Sequence, residues 1–180
     1  MTCPLLCLSK EDVISAMLVL GVDPGTYKTG VGLVSSEDGD MTMTYSDVLS
    51  PPRSASLSDR LEWIHTRMGR LMDDLKPSVV AIEQPFVSRN VRAAMAVGQA
   101  QAVAMIAASH RKIPVVSYSP REVKKSVTDH GGSSKEQVQG MVGVLLGISE
   151  PLEPSDRADA LAVAICHINN SLMADVEMRE

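Results

Sequence analysis

The stretch Leu18-Val19-Leu20-Gly21-Val22-Asp23-Pro24-Gly25-Thr26 decides how the rest of the chain is read. Its apolar run predicts a buried strand, and the run ends on one carboxylate before Pro-Gly turns the chain. Thr29-Gly30-Val31-Gly32-Leu33-Val34 then reads as the returning strand of a hairpin. This layout sets Asp23 at the mouth of a sheet. A strand-end aspartate is commonly a turn-former, so its meaning depends on partners elsewhere.

Beyond this hairpin, the chain organises as alternating strands and helices. Met41 to Val48 alternates as a third strand. Ser56-Leu57-Ser58-Asp59 offers a capping start. Leu57, Leu61, Ile64, Met68, Leu71 and Leu75 come next at helical spacing, and Lys76-Pro77 closes that helix. Ser78 to Glu83 is a second apolar run ending in a carboxylate, placed after a helix and therefore suited to pair parallel with the first. Asn90 can cap a helix over Val91 to Ser109 that is rich in small residues and suited to a packing or dimer face. Ile113 to Tyr118 reads as a strand, and Ser119-Pro120-Arg121-Glu122 as a helix start. Ser133 to Glu136 repeats the capping pattern, with Val138, Met141, Val142 and Leu145 as the buried stripe. A last helix opens at Ser155 and is expected to reach Leu172. The expected division is 1–16 as an extension outside the fold, 17–172 as one domain, and 173–180 as an acidic tail.

With 180 residues the chain can bury a core without disulfides. Phe86 is its single phenylalanine, so Val, Ile, Leu, Met and Ala must build the core. Cys3, Cys7 and Cys166 have no zinc-type spacing, which suits a reducing, cytoplasmic setting. No signal peptide is evident, and no apolar run is expected to span a membrane. The net charge of −5 argues against generic nucleic-acid binding, but residues 84–135 hold eight basic residues against two acidic ones, a local net of +6.

Asp156 and Asp159 are three apart at the start of the last helix, so they share a face of its first turn. Acids there also suit the helix dipole. The joint pattern says more. Asp23 and Glu83 both end apolar strands, and the carboxyl ends of adjacent parallel strands form a common crevice. Four converging acids must relieve their repulsion by protonation or by bound cations. Hard oxygen donors suit Mg²⁺ or Mn²⁺. Two such ions about 3.5–4 Å apart activate water and stabilise a departing oxygen in phosphodiester cleavage. There is no Walker-type loop, and His65, His110, His130 and His167 suggest no triad.

Gly21-Val22-Asp23-Pro24-Gly25, Ala81-Ile82-Glu83-Gln84-Pro85-Phe86 and Asp156-Arg157-Ala158-Asp159-Ala160-Leu161-Ala162 resemble the successive motifs of RuvC-type Holliday-junction resolvases. Gly98-Gln99-Ala100 and Lys135-Glu136-Gln137-Val138-Gln139 resemble further stretches in the same order. The resemblance covers Met17 to Asn170. It implies an α/β, RNase H-like fold with a mixed central sheet flanked by helices on both faces. It also implies a homodimer that binds a four-way DNA junction and nicks two strands of like polarity with Mg²⁺ or Mn²⁺, in recombination and repair. By motif, Asp23, Glu83, Asp156 and Asp159 would be metal-binding catalytic acids. Phe86 would stack on a base. Lys124 and Lys135 would hold the scissile phosphate or steady charge in the transition state, and Arg89 and Arg92 would contact DNA. RuvA and RuvB are implied as branch-migration partners.

Two other readings stay open on the sequence. A phosphotransfer protein of the actin, Hsp70 and sugar-kinase type also follows a strand with Asp-x-Gly, but it uses two such domains. A related RNase H-like nuclease, or a catalytically silent junction-binding module, would share most of these motifs.

Overall fold

The computed structural model describes residues 16–85 and 91–177, without the side chains of 175–177. The expectations for Phe86, Arg89 and the Asn90 cap therefore lie outside the described residues. The elements are β1 (Met17–Asp23), β2 (Thr29–Glu37), β3 (Asp40–Leu49), α1 (Leu57–Leu75), β4 (Val79–Glu83), α2 (Val91–Ser109), β5 (Val115–Tyr118), α3 (Pro120–Thr128), α4 (Lys135–Leu145) and α5 (Asp156–Glu177).

The strands form one sheet in the order β3-β2-β1-β4-β5. β1 to β3 meander antiparallel, and β4 and β5 join parallel to β1. The continuous apolar runs of β1 and β4 reflect burial on both faces. Residues of one parity, Val19, Val34, Val79 and Ala81, pack under α5 with Val123, Val138 and Val142 of α3 and α4. The other parity, Leu20, Val22, Val31, Val80 and Ile82, packs with Met68 and Met72 of α1 and Ala104, Ala107 and Ala108 of α2.

One irregularity matters for the site. Leu33 pairs with Tyr45, but Val34 pairs with Met43, so Thr44 is an extra residue in β3. Its hydroxyl bonds the Leu33 carbonyl at 3.2 Å. A bulge of this kind flips the facing of the residues on its far side. Met41 and Met43 face the α5 side, whereas Tyr45 joins the α1 side.

Four expectations are corrected. Met141, expected in the buried stripe of α4, is exposed, and Leu146 is buried with Val138 and Val142 instead. The second capping motif belongs to Ser134 with Gln137 rather than to Ser133 with Glu136. Ser133 is buried, and its hydroxyl contacts the Thr128 hydroxyl at 2.7 Å and bonds the His130 carbonyl at 2.9 Å. α5 continues past Leu172 to Glu177, because its helical backbone is not interrupted where the acidic residues begin. α2 is, against expectation, long and apolar enough to cross a bilayer, with a mean hydropathy of 1.3 in its most apolar stretch. Alanines raise that value, and Ala100, Ala104, Ala107 and Ala108 are buried within the fold.

Candidate functional site

Asp23 is the last residue of β1, and Glu83 the last of β4. The two strands are parallel neighbours paired through Val22 and Ile82, so both carboxylates leave adjacent strand ends on the α5 side of the sheet. α5 brings Asp156 and Asp159 to the same place in its first turn.

A trough of glycines seats α5 there. A Cβ on Gly21 would run into the Ala160 carbonyl, and one on Gly30 into the Asp156 carbonyl. One on Gly32 would lie 2.7 Å from the Leu161 side chain. Gly21 and Gly32 are cross-strand partners, and Gly30 is the partner of Asp23. The helix backbone therefore rests directly on the sheet beside Asp23. Arg157 fixes the approach from the other side. Its Nη2 and Nε donate to Ser46 Oγ at 2.7 and 3.0 Å, and its Nη1 to the Glu153 carbonyl at 3.0 Å. The Thr44 bulge is what turns Ser46 toward α5.

The electrostatics show strong mutual influence among the acids. Burial, then the charges of Glu83, Asp159 and Asp156, push Asp23 up to about 8. A side-chain hydrogen bond links Asp23 with Glu83. Glu83 is itself raised, by burial and then by Asp159, with the Asp23 bond and the charges of Lys135 and Lys124 opposing. Asp159 is raised by burial against the pull of Lys135. Lys135 opens α4 and places its ammonium 2.5 Å from Asp159 Oδ2. Burial alone would lower Lys135, but its bond to Asp159 and the charges of Asp159, Asp23 and Asp156 outweigh that and raise it. Both means of relieving repulsion, a proton and a cation, are thus present.

Among the described residues, no three His, Cys, Asp or Glu side chains stand ready-made around a single ion. That sits beside the electrostatic convergence without contradicting it. Asp23 is hydrogen-bonded to Glu83, and Asp159 is turned to Lys135. The donor set is all carboxylate, which fits a hard divalent cation.

The remaining expected residues are placed unevenly. Lys124 donates to the Ser133 carbonyl at 2.9 Å, close enough for its charge to act on Glu83. Arg92 is exposed near the start of α2. His167 is engaged with the Tyr118 hydroxyl at 2.8 Å and pushed down by burial, the packed histidine the sequence suggested. Cys166 is buried, as expected. The sequence reading missed Lys28, whose ammonium lies 3.7 Å from Asp156 Oδ2. It also missed the Arg157 anchor and the glycine trough. The alternation Gly30-Val31-Gly32 was the available signal for the trough, since glycine at every second strand position marks close backbone approach.

Comparison with known proteins gives a consistent result. The family model described as crossover junction endodeoxyribonuclease RuvC matches residues 19–167. A crossover junction endodeoxyribonuclease RuvC of Dehalococcoides mccartyi is 41% identical over 160 residues, covering 89% of this chain and 97% of that protein. One of Streptomyces avermitilis is 46% identical over 153 residues, covering 84% and 87%. The structure of Thermus thermophilus RuvC superposes with a TM-score of 0.80 at 32% identity, covering 88% of this chain and 97% of that one. T. thermophilus RuvC in complex with Holliday junction substrate gives 0.83 at 33% identity, covering 88% and 96%. The RNase H-like architecture expected from the motifs is therefore the one observed.

Proposed function

The chain belongs to the RuvC family of crossover junction endodeoxyribonucleases, and on that basis we propose that it resolves four-way DNA junctions with the site built from Asp23, Glu83, Asp156 and Asp159. The observation that carries this reading is the delivery of two strand-end carboxylates to the first turn of α5, on a glycine trough that fixes their spacing.

Asp23, at the end of the middle strand of the sheet, would be the central ligand, with Glu83 and the two α5 acids around it. Two bound Mg²⁺ ions, or Mn²⁺ in their place, would supply an activated water and stabilise the departing oxygen of the phosphodiester. The protein's own steps are electrostatic and positional. Asp23, Glu83, Asp156 and Asp159 would hold the cation in their ionised forms, its charge relieving the crowding that otherwise raises Asp23. Lys135, which pairs with Asp159 in the metal-free chain, would steady developing charge at the scissile phosphate. Lys124 and Arg92 would hold flanking DNA. Phe86 and Arg89, outside the described residues, keep the roles of base stacking and backbone contact implied by their motif.

Pairing of two cuts requires two sites. Val91, Met95, Met105 and Ile106 leave large apolar groups exposed along α2, which supports a homodimer closed over that helix. RuvA and RuvB as partners, and the cytoplasm as the setting, belong to the same reading.

The deciding experiment compares cleavage of synthetic four-way junctions, flaps, duplexes and RNA–DNA hybrids in Mg²⁺, with Asp23→Asn as the control. Paired symmetric nicks in the junction alone, lost in Asp23→Asn with junction binding retained, are the expected result. Preferential cutting of RNA hybrids, or no cutting of any substrate, would remove the assignment.

A further inference from the structure

The turn between β1 and β2 carries a second feature on the rim of the acidic site. Tyr27 is 54% exposed there, and the Arg60 guanidinium carbon sits 4.1 Å from its ring centroid. Arg60 is itself buried, with Nε donating to the Thr26 carbonyl at 3.1 Å and Nη1 to the Ala55 carbonyl at 2.7 Å. The guanidinium therefore cannot follow the ring outward, and the ring lies on a fixed cationic base. The turn is also fastened from within. Thr29 Oγ1 donates to the Gly25 carbonyl at 2.7 Å and accepts from Gly25 N–H at 3.4 Å. Lys28, beside Tyr27, is half exposed, and its ammonium is 3.7 Å from Asp156.

We propose that Tyr27 and Lys28 form a nucleotide-binding platform for the strand being cut. The ring of Tyr27 takes the base or sugar face of the nucleotide next to the scissile phosphate, and Lys28 takes that nucleotide's phosphate. The inference rests on the junction-cleaving reading for which strand is bound, but its physical basis is separate. An exposed aromatic ring already held on a buried cation loses little freedom on stacking, so most of the stacking energy survives as affinity. A lysine held weakly by one partly exposed carboxylate at 3.7 Å exchanges readily to a phosphate. Both groups lie within five residues of Asp23 in the chain and are mounted on the same hairpin, so a strand gripped here is held in register with the carboxylates.

The test uses the full chain and a synthetic four-way junction carrying 2-aminopurine one nucleotide to either side of the mapped cut. Binding is measured in EDTA. Tyr27→Ala is expected to weaken junction binding roughly tenfold, within the range of single stacking contacts, and to abolish the quench of 2-aminopurine emission. Tyr27→Trp is expected to keep both. Lys28→Ala is expected to lower the slope of log affinity against log salt by about one. Thermal melting controls for folding. Tyr27→Leu, which still covers Arg60 but offers no ring, serves if Tyr27→Ala is unstable. Unchanged affinity and quench in Tyr27→Ala or Tyr27→Leu overturn the platform, even if the parent cuts junctions normally. A parent that cuts no branched DNA overturns the nuclease reading and, with it, the assignment of the platform to a strand being cut.

Discussion

The Asp156 carbonyl of α5 occupies the space that a side chain on Gly30 of β2 would need. The obstruction is backbone against backbone, so neither side has a flexible group that can yield. Gly30→Ala must lift the start of α5 or bend β2. Overpacking of this kind costs about 1–3 kcal/mol. Displacing Asp156 and Asp159 by about 1 Å would cut the rate roughly 100-fold. Urea unfolding and single-turnover junction cleavage measure the two effects. A Gly30→Ala protein with parental rate would show that this contact does not position the acids.

Burial and the neighbouring acids push Asp23 up to about 8 in the folded chain, whereas an unfolded aspartate releases its proton at about 4. Between those values the native state binds more protons than the unfolded one, so stability falls as pH rises through that window. Glu83 and Asp159, both also raised, act in the same direction. Calorimetry on metal-free protein is expected to show the melting temperature dropping from about pH 5 to about pH 8, the span between the unfolded and folded values. Asp23→Asn should flatten most of that slope. For the same reason, cation binding at neutral pH should release protons, read from binding heats in buffers of different ionisation enthalpy.

Lys135 holds Asp159, one of the acids proposed to bind the divalent cation, so under that proposal the two would compete for it. Lys135→Gln should therefore bind Mn²⁺ as tightly as the parent or more tightly, while cutting junctions more slowly. The ion pair is about half exposed on the lysine side, so its loss should cost only about 1 kcal/mol or less of stability. Weaker Mn²⁺ binding in Lys135→Gln would contradict the competition.

Arg157 and Ser46 act as one clamp across β3 and α5. Arg157→Ala and Ser46→Ala should each slow cleavage, and the double variant should be little worse than Arg157→Ala. A coupling energy of about 0.5–3 kcal/mol is expected from a double-mutant cycle on stability. Additive losses would mean that the two residues serve separate purposes.

Ile106 lies on the exposed apolar side of α2, about half accessible in the single chain. Ile106→Glu should shift the protein from dimer to monomer in sedimentation. Binding to one duplex arm should persist, but paired nicking should fail. A monomeric parent would remove α2 from consideration as the interface.

Much of this was readable from the sequence because local and global signals agreed. The apolar runs of β1 and β4 each stopped on a carboxylate, and a run buried on both faces looks the same whichever neighbours cover it. The caps of α1 and α3 were legible because Ser56 and Ser119 are each succeeded three residues later by an acid. The α4 cap was misplaced by one residue because Ser133 and Ser134 are adjacent and both could serve. Burial of Ser133 against Thr128, a tertiary contact, decided between them. Lys28, Arg60 and Ser46 could not be found by spacing. Arg60 lies on an amphipathic helix where an arginine reads as solvated, yet the fold buries it against the Thr26 and Ala55 carbonyls. Ser46 matters only because an extra residue two positions earlier changes which face it occupies, and strand alternation read from sequence assumes no such shift.

The extra residue at Thr44 does more than seat the clamp. β3 is an outer strand of the sheet, with one row of backbone groups unpaired by any neighbouring strand. A straight outer strand of ten residues is a template on which another chain can add a strand, the usual route to filaments. The bulge bends and twists that margin, so a second chain cannot stay in step along it. The irregularity that turns Ser46 toward Arg157 thereby also disfavours edge-to-edge pairing of one sheet with another.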